Sequence, residues 1–177
     1  MKKVGILAFS GQETGGVLQY TQSIIDVFET IDEIEVVIFT LNKDIFDIDS
    51  AELRVISKPK RNWIKRIIIF IQCLLVNRNS FLLSNYEIKV FSDIDLFFNP
   101  SPSLYPNFFL NKPFIFTVQD FQERYYPEFF SKFDRFNRWL VKRALAKTSS
   151  RIICESSNVK DDALKFLKIN DNDIKII

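Results

Sequence analysis

Three glycines near the amino terminus are of the residue type found in phosphate-binding turns. Gly11, Gly15 and Gly16 separate an apolar segment, residues 3–9, from a segment whose apolar residues recur at helical spacing as far as Ile31. A strand, a glycine-containing turn and a helix in this order place free backbone N–H groups and the positive end of a helix dipole at a sheet edge. Because Gly15 and Gly16 lack a Cβ atom, a phosphate could approach that backbone closely. A strand-to-helix turn without any ligand is the alternative explanation of the same pattern.

The glycine spacing matches neither of the common nucleotide-binding motifs. A P-loop continues from its last glycine with lysine and then serine or threonine, whereas Val17 and Leu18 follow Gly16. A dinucleotide-binding turn has the spacing Gly-x-Gly-x-x-Gly and an acidic residue at the end of the second strand. That strand is predicted at residues 35–40 and is followed by Leu41 rather than by an acid. A dinucleotide-dependent oxidoreductase domain is therefore disfavoured.

The composition is that of a soluble globular chain and removes several classes of chemistry. Of the 177 residues, 47% are apolar and 26% are charged, which is typical of one soluble domain. The chain has no histidine, which excludes Ser-His-Asp and Cys-His catalysis and most catalytic zinc sites, and we expect no metal. Cys73 and Cys154 have neither metal-binding nor redox spacing.

The net charge indicates which partners to expect, and the amino-terminal sequence indicates where the protein acts. A net charge of +2 gives no reason to expect a nucleic acid partner. The apolar stretch at residues 3–9 is too short for a signal peptide. We therefore expect a cytoplasmic protein, with peripheral contact to the inner face of the membrane as one possibility raised by a later segment.

Strand and helix patterns alternate along the chain. Strands are predicted at residues 3–9, 35–40, 53–57, 86–93, 114–118, 151–155 and 174–177, and helices in most of the intervals between them. Residues 99–103 contain two prolines and are predicted to form a loop. The alternation predicts an α/β fold with a Rossmann-like, doubly wound, mostly parallel sheet, formed by a single domain over residues 1–177.

The helix predicted before residue 151 has an apolar face and a basic remainder. Its apolar face comprises Phe136, Leu140, Val141, Ala144 and Leu145. The other faces carry most of its basic residues, which are Arg135, Arg138, Lys142, Arg143 and Lys147. Such a run of charges is usually a solvated face. Ser156 or Ser157 is expected to cap the helix that follows residue 155.

A basic segment leads directly into the most apolar segment of the chain. The apolar run at residues 67–76 is preceded by Lys58, Lys60, Arg61, Lys65 and Arg66. The run is about half as long as a membrane span, which leaves two alternatives. In the first it is a core helix, with Ile68 and Ile71 buried. In the second it lies on an anionic membrane surface as a peripheral contact, with the basic residues at the lipid head groups.

Polar residues follow the strand predicted at residues 114–118. Gln119 and Asp120 come directly after it. Because open α/β sheets bind ligands at the carboxyl ends of their strands, these two side chains are candidates for ligand contact.

Three separated segments together resemble the N-terminal domain of the retaining glycosyltransferases of family 4 (group 1), enzymes with the two-domain GT-B architecture. In chain order they are Gly-Gly-Val-Leu-Gln-Tyr at 15–20, Phe-Thr-Val-Gln-Asp at 116–120 with Tyr-Pro-Glu-Phe-Phe at 126–130, and Arg-Ala-Leu-Ala-Lys at 143–147 with Arg-Ile-Ile-Cys-Glu-Ser at 151–156 and then Lys160. In this order and at these intervals they cover essentially the whole chain.

The resemblance implies a glycosyltransferase of the hexosyltransferase type in polysaccharide biosynthesis. Its donor would be a nucleotide-diphosphate sugar, its acceptor a glycan or a lipid-linked acceptor, and no separate cofactor would be needed. Gly15 and Gly16 would approach the donor phosphate, and Gln119 and Asp120 would be catalytic. Residues with acceptor-binding or supporting roles would be Tyr20, Tyr126, Ser156 and Lys160. Retention requires oriented donors that stabilise the leaving diphosphate rather than a nucleophile.

The chain departs from the family pattern in two respects. Gln119 stands where the family commonly has a histidine beside the donor sugar; glutamine donates and accepts hydrogen bonds but carries no charge and shuttles no proton. The 177 residues contain no segment that resembles the family's second domain, which holds the nucleotide sugar. We therefore expect the chain to be inactive without a C-terminal glycosyltransferase domain as its partner. A non-enzymatic binding module or remnant with the same fold is the alternative.

Overall fold

The computed structural model describes residues 1–9, 15–57 and 59–177. The strands in this part of the chain are β1 (Lys2–Ala8), β2 (Ile34–Thr40), β3 (Glu52–Val55), β4 (Leu96–Asn99), β5 (Phe114–Val118), β6 (Arg151–Cys154) and β7 (Ile174–Ile176). The α-helices are α1 (Gly16–Glu29), α2 (Trp63–Leu75), α3 (Asn85–Val90), α4 (Gln122–Tyr125), α5 (Lys132–Thr148) and α6 (Ser157–Leu167). Gly11, in the predicted phosphate turn, and Lys58, in the predicted membrane contact, lie outside the described residues.

The seven strands form one parallel sheet in the order β3-β2-β1-β4-β5-β6-β7. The chain runs outward from β1 to β3, returns to β4 beside β1, and then runs outward in the opposite direction. This is the doubly wound α/β fold, and the fold class predicted from the sequence is confirmed. The reversal leaves a crevice at the carboxyl ends of β1 and β4, where sheets of this kind bind ligands.

The sheet is buried on both faces, which explains why its central strands are apolar throughout. In β1, Leu7 belongs to the apolar cluster on one face, while Ile6 and Ala8 belong to the cluster on the other. Phenylalanine fills much of the first cluster, where Phe97 and Phe116 are fully buried. The strands that carry the carboxyl edge are therefore fixed by packing from above and below.

The prediction of a strand at residues 86–93 is wrong. Most of these residues form α3, and the strand of this region is β4, which pairs with β1 and β5. Ser84 and Glu87 form a capping box: the Glu87 N–H donates to the Ser84 hydroxyl at 3.2 Å, and the Ser84 N–H donates to the Glu87 carboxylate at 2.7 Å. Asn99, predicted to open a loop, is the last residue of β4. The apolar alternation at 86–91 fits a strand, but this cap starts a helix there instead.

Helix α2 packs only one side against the core, where the half-buried Ile68 and Ile69 contact the first apolar cluster. The first of the two alternatives for this segment is therefore confirmed only in part. Among its residues only Gln72 and Cys73 are buried, and Ile71 is 47% exposed. The large apolar side chains that α2 leaves exposed are Trp63, Ile64, Ile67, Phe70, Ile71, Leu74 and Leu75. None of the helices within residues 1–9, 15–57 and 59–177 has the length and apolar character needed to cross a membrane.

Of the cations expected at the surface, Lys142 is buried and Arg61 is half-buried. The Arg61 guanidinium sits over the rings of Tyr105 and Phe109, at 5.3 and 4.9 Å from their centroids, and this burial lowers the pKa of Arg61. Lys142 of α5 is only 4% exposed and pairs with Glu123. The prediction of a solvated basic face is therefore wrong for Lys142, and Arg61 is not free to reach a lipid head group.

Asp93 ties β1 and β3 to the segment that precedes β4. Its carboxylate accepts hydrogen bonds from the Arg54 guanidinium at 2.8 and 2.7 Å and from the Lys3 ammonium at 3.2 Å. The Arg54 guanidinium, and to a smaller extent Lys3, hold the pKa of Asp93 well below its usual range. A carboxyl whose pKa is depressed in the folded state contributes stability above its unfolded pKa of about 4, and this contribution is lost as the pH falls below it.

We expect Asp93→Asn to lower the melting temperature at pH 7 and the difference from the wild type to shrink steadily below about pH 4. Thermal denaturation followed by circular dichroism over this pH range measures the effect. Asp32→Asn, at an exposed position outside the strands, is the matched control and should melt like the wild type. A difference for Asp93→Asn that stays constant with pH would contradict the role of the ionised carboxylate.

Candidate functional site

One hydrogen bond joins the two segments that the sequence assigns to a site. The hydroxyl of Tyr20, one turn into α1, lies 3.1 Å from the hydroxyl oxygen of Thr117 in β5. Helix α1 follows β1, and β4 lies between β1 and β5, so Tyr20 reaches across the end of β4. The glycines that open α1 and Gln119, two residues beyond Thr117, therefore share the carboxyl edge of the sheet.

Gly15 and Gly16 form the start of α1 at this edge. Gly15 has φ 148° and ψ 174°, a conformation that is essentially restricted to glycine. No side chain of the described residues caps α1, and its first turn contains no acidic residue. A Cβ added at either glycine would have no described atom within 4 Å. Within the described part of the chain, no side chain therefore caps the first N–H groups of α1, where the positive end of the helix dipole favours an anion.

Gln119 lies beside the crevice between β1 and β4. Its side-chain amide donates a hydrogen bond of 3.2 Å to the backbone carbonyl of Pro100, the residue that follows β4. The side chain remains partly exposed. The contact orients an uncharged donor and acceptor at the crevice, a chemistry that suits a sugar hydroxyl.

Glu155 is a further member of this edge, which the sequence analysis placed only within a strand segment. It follows β6 and is exposed, and partial loss of solvent together with the nearby charge of Asp120 raises its pKa. Burial also raises the pKa of Tyr20, and the Glu155 charge raises it further. Tyr20, Asp120 and Glu155 are therefore close enough to influence one another electrostatically. The rule that identified Gln119, a polar residue directly after a buried strand, would also have identified Glu155.

A buried ion pair holds the segment that follows β5. The Lys142 ammonium donates to the backbone carbonyl of Asp120 at 2.7 Å and to the two carboxylate oxygens of Glu123 at 3.0 and 3.1 Å. It also lies 4.7 Å from the centroid of the Phe121 ring. Lys142 and Glu123 are 4% and 1% exposed. Helix α5 thus fixes the backbone at Asp120, and no sequence pattern indicates this pairing.

The remaining predicted site residues have structural neighbours of their own. Ser156 caps α6 by accepting a backbone N–H at 3.3 Å, as the sequence predicted. The Lys160 ammonium forms an ion pair with Asp171 at 2.6 Å. Tyr126 is 55% exposed and contributes with Phe129 to the lining of a surface cavity of about 370 Å³. Their parts in acceptor binding stay predictions.

The site is built from hydrogen-bonding and carboxylate groups. Within the described part of the chain, no group of three or more His, Cys, Asp or Glu side chains is arranged to hold a metal ion. Both cysteines are free and buried. Burial raises the pKa of the Cys73 and Cys154 thiols to about 11, so neither is a thiolate nucleophile near neutral pH.

Solved structures share this fold, although no protein-family model and no curated protein sequence matches the chain. All of the chain matches 43% of HepE from Anabaena, solved in complex with UDP, with a TM-score of 0.57 and 13% identity. Of the chain, 99% matches 42% of a glycosyltransferase from Rickettsia africae, with a TM-score of 0.51 and 15% identity. The chain spans less than half the length of either protein. At these identities the likeness establishes the fold.

We expect Lys142→Met to lower the free energy of unfolding by about 3–5 kcal/mol, because the Glu123 carboxylate is then buried without a partner. Adding Glu123→Gln to the same chain should restore most of the loss. Lys160→Met breaks an exposed ion pair and is the matched control, with an expected loss of at most about 1 kcal/mol. Urea denaturation measures all three variants. Equal losses for the two lysine substitutions would overturn this assignment.

Proposed function

We propose that this chain is the N-terminal, acceptor-side domain of a retaining, nucleotide-sugar-dependent glycosyltransferase of the GT-B type, related to family 4. The observation that carries the proposal is the contact between Tyr20 and Thr117, because it brings the open glycine turn and the polar residues after β5 to one edge. The shared fold with a protein solved with UDP and with a glycosyltransferase supports the same class.

The donor in this proposal is a nucleotide-diphosphate sugar, bound without a further cofactor. Its phosphates approach the backbone at Gly15 and Gly16, where the dipole of α1 favours negative charge and no acid of the first turn competes. Negative charge grows on the leaving diphosphate as the bond to the sugar breaks. N–H donors already oriented toward that charge stabilise it in the transition state.

The polar residues after β5 and β6 supply contacts to the sugars. Gln119 gives a neutral hydrogen bond to a hydroxyl of the donor sugar, and Asp120 beside it provides a carboxylate held in place through Lys142. Glu155, a carboxylate that follows β6 at the same edge, could accept a proton from an acceptor hydroxyl. Tyr20, Tyr126, Ser156 and Lys160 stand in supporting or acceptor-side roles.

A second domain completes the cleft. In the proposal a C-terminal domain binds the nucleotide, and the chain described above forms the opposite wall. Both solved proteins are more than long enough to contain such a domain beside the matched region. The acceptor is a glycan or a lipid-linked acceptor of polysaccharide biosynthesis, used in the cytoplasm, and Lys60, Lys65 and Arg66 make peripheral contact with the membrane.

Gly16→Ala tests the glycine turn in an enzyme completed by joining the chain to a GT-B C-terminal domain. The added methyl group meets no described protein atom within 4 Å, so the melting temperature should not change. It occupies the space that the phosphate needs, and UDP release from UDP-sugars should fall at least about tenfold, the factor that corresponds to 1.4 kcal/mol. Ser23→Ala, on the exposed side of α1, is the control. Unchanged UDP release in Gly16→Ala would remove the phosphate role, and absence of release from the completed wild type would favour a non-enzymatic module.

Gln119→Ala tests the second half of the site in the same enzyme. Loss of the amide leaves a sugar hydroxyl unpaired, and we expect kcat/KM to fall by an amount that corresponds to about 1–3 kcal/mol. Gln119→His keeps a hydrogen-bonding group at this position and should retain most of the activity. If kcat/KM for Gln119→Ala equals that of the wild type, the side chain does not contact the substrates.

A further inference from the structure

Helices α2 and α5 lie side by side and form one exposed face, here called the α2–α5 face. The ring of Phe70 on α2 lies 5.9 Å from the ring of Phe136 on α5. The Arg143 guanidinium of α5 approaches the carbonyl of Leu74 on α2 at 3.5 Å. To the seven exposed apolar side chains of α2, α5 adds Phe133 and Phe136, which are 71% and 40% exposed. Exposed apolar area of this extent on one face marks a binding surface.

The charges of helices α2 and α5 are nearly all positive. Apart from the buried Lys142, the cations of the two helices are Lys65, Arg66, Lys132, Arg135, Arg138, Arg143 and Lys147. Helix α2 contains no acidic residue, and α5 contains only Asp134, whose carboxylate accepts a hydrogen bond from the Ser131 hydroxyl at 2.6 Å. Since the net charge of the whole chain is only +2, positive charge is concentrated on the two helices that form this face.

A cavity of about 330 Å³ opens at the beginning of α5. It is lined by Arg124, Lys132, Arg135, Phe136 and Trp139, which are three cations and two aromatic rings. None of the ion pairs among the described residues includes these three cations. Within the same residues the Nε atom of Arg135 is buried and has no hydrogen-bond partner. A phosphate group would give these donors charge-assisted hydrogen bonds.

The apolar and the cationic parts of the face meet at Phe136, which both lines the cavity and contacts Phe70. A ligand that suits both parts has an anionic head and apolar chains. A soluble phosphate compound would fill the cavity and leave the apolar side chains of α2 exposed. A second copy of the chain, paired through the same face, would bring these cations against their own equivalents.

We infer that the α2–α5 face binds the surface of a membrane containing anionic phospholipids, with a lipid phosphate in the cavity and the apolar side chains of α2 among the upper acyl chains. The 13 residues of α2 are too few to span a bilayer but suit a helix lying in the interface. Binding itself needs no nucleotide. The inference rests on the proposed function in one respect. Arg124 of α4 lines the cavity, and α4 follows Gln119 and Asp120 closely, so a lipid phosphate in the cavity would lie beside the expected site of a lipid-linked acceptor.

Co-sedimentation with vesicles tests the inference on the chain by itself. At low salt we expect binding to phosphatidylcholine vesicles that contain one third phosphatidylglycerol, loss of that binding at high salt, and no binding to pure phosphatidylcholine. Lys132→Gln combined with Arg135→Gln should weaken binding about 30-fold, since each cation near an anionic surface contributes roughly fivefold. The control, Lys43→Gln with Lys175→Gln, changes the net charge equally at exposed positions outside the face and should bind almost as the wild type does.

Tryptophan fluorescence gives a second readout that does not depend on the cation variants. The chain has two tryptophans: Trp63, which is 70% exposed at the start of α2, and Trp139, which lines the cavity. In Trp139→Phe only Trp63 emits. Its emission should shift to shorter wavelength with anionic vesicles and be quenched by brominated acyl chains, and neither change should occur with pure phosphatidylcholine.

Four results would overturn the inference. The first is a Trp63 emission that anionic vesicles leave unchanged, and the second is an equal loss of binding in the cation variant and its control. The third is a dimer of the free chain that Ile67→Ser with Ile71→Ser converts to a monomer, without vesicle binding by the wild type, which would assign the face to a second copy. The fourth is binding of inorganic phosphate at the cavity without vesicle binding, which would make the cavity a site for soluble phosphate. Each result leaves the transferase proposal standing, because UDP release is measured without lipid.

Discussion

The parallel pairing of β1 with β4 is the constraint on which the rest of the structure depends. It is the point at which the chain reverses its direction across the sheet, and it leaves the carboxyl ends of both strands open. Helix α1 begins at that opening and Tyr20 crosses it to Thr117. The same edge collects Gln119, Asp120 and Glu155 because the strands they follow all point the same way. A sheet with one strand reversed would separate these groups, so the topology itself assembles the candidate site.

Two features keep polar groups at this edge in fixed positions. Gly15 adopts a backbone conformation that other residues avoid, and no side chain of residues 1–9, 15–57 or 59–177 caps the first N–H groups of α1. On the other side, Lys142 holds the carbonyl of Asp120 from within the protein, and Glu123 balances its charge. Burying such a pair is tolerated because the ammonium has several acceptors. Both arrangements orient groups before a ligand arrives, and preorientation is what stabilises developing charge in a transition state.

Much of the fold follows from the sequence, because strands buried on both faces must be continuously apolar and residues 3–9, 35–40 and 114–118 have that character. The strand expected at 86–93 failed because alternation within one short segment cannot outweigh a capping box that starts a helix at Ser84. The exposure of α2 could not be predicted either, because the composition of a helix does not show which neighbours cover it. Gln119 was found by its place after a strand, and Glu155 could have been. The burial of Lys142 depends on Glu123, 19 residues earlier, and no local pattern connects them.

The most direct test of the central claim is hydrogen–deuterium exchange in the enzyme completed with a C-terminal domain, with and without UDP. Amides that contact a phosphate or lie beside it exchange more slowly when the ligand is bound. The account requires slower exchange in this domain at residues 15–20 and at the segment after β5 that contains Gln119, with little change in α2. Slower exchange elsewhere in the domain, with residues 15–20 unaffected although UDP is bound, would contradict it.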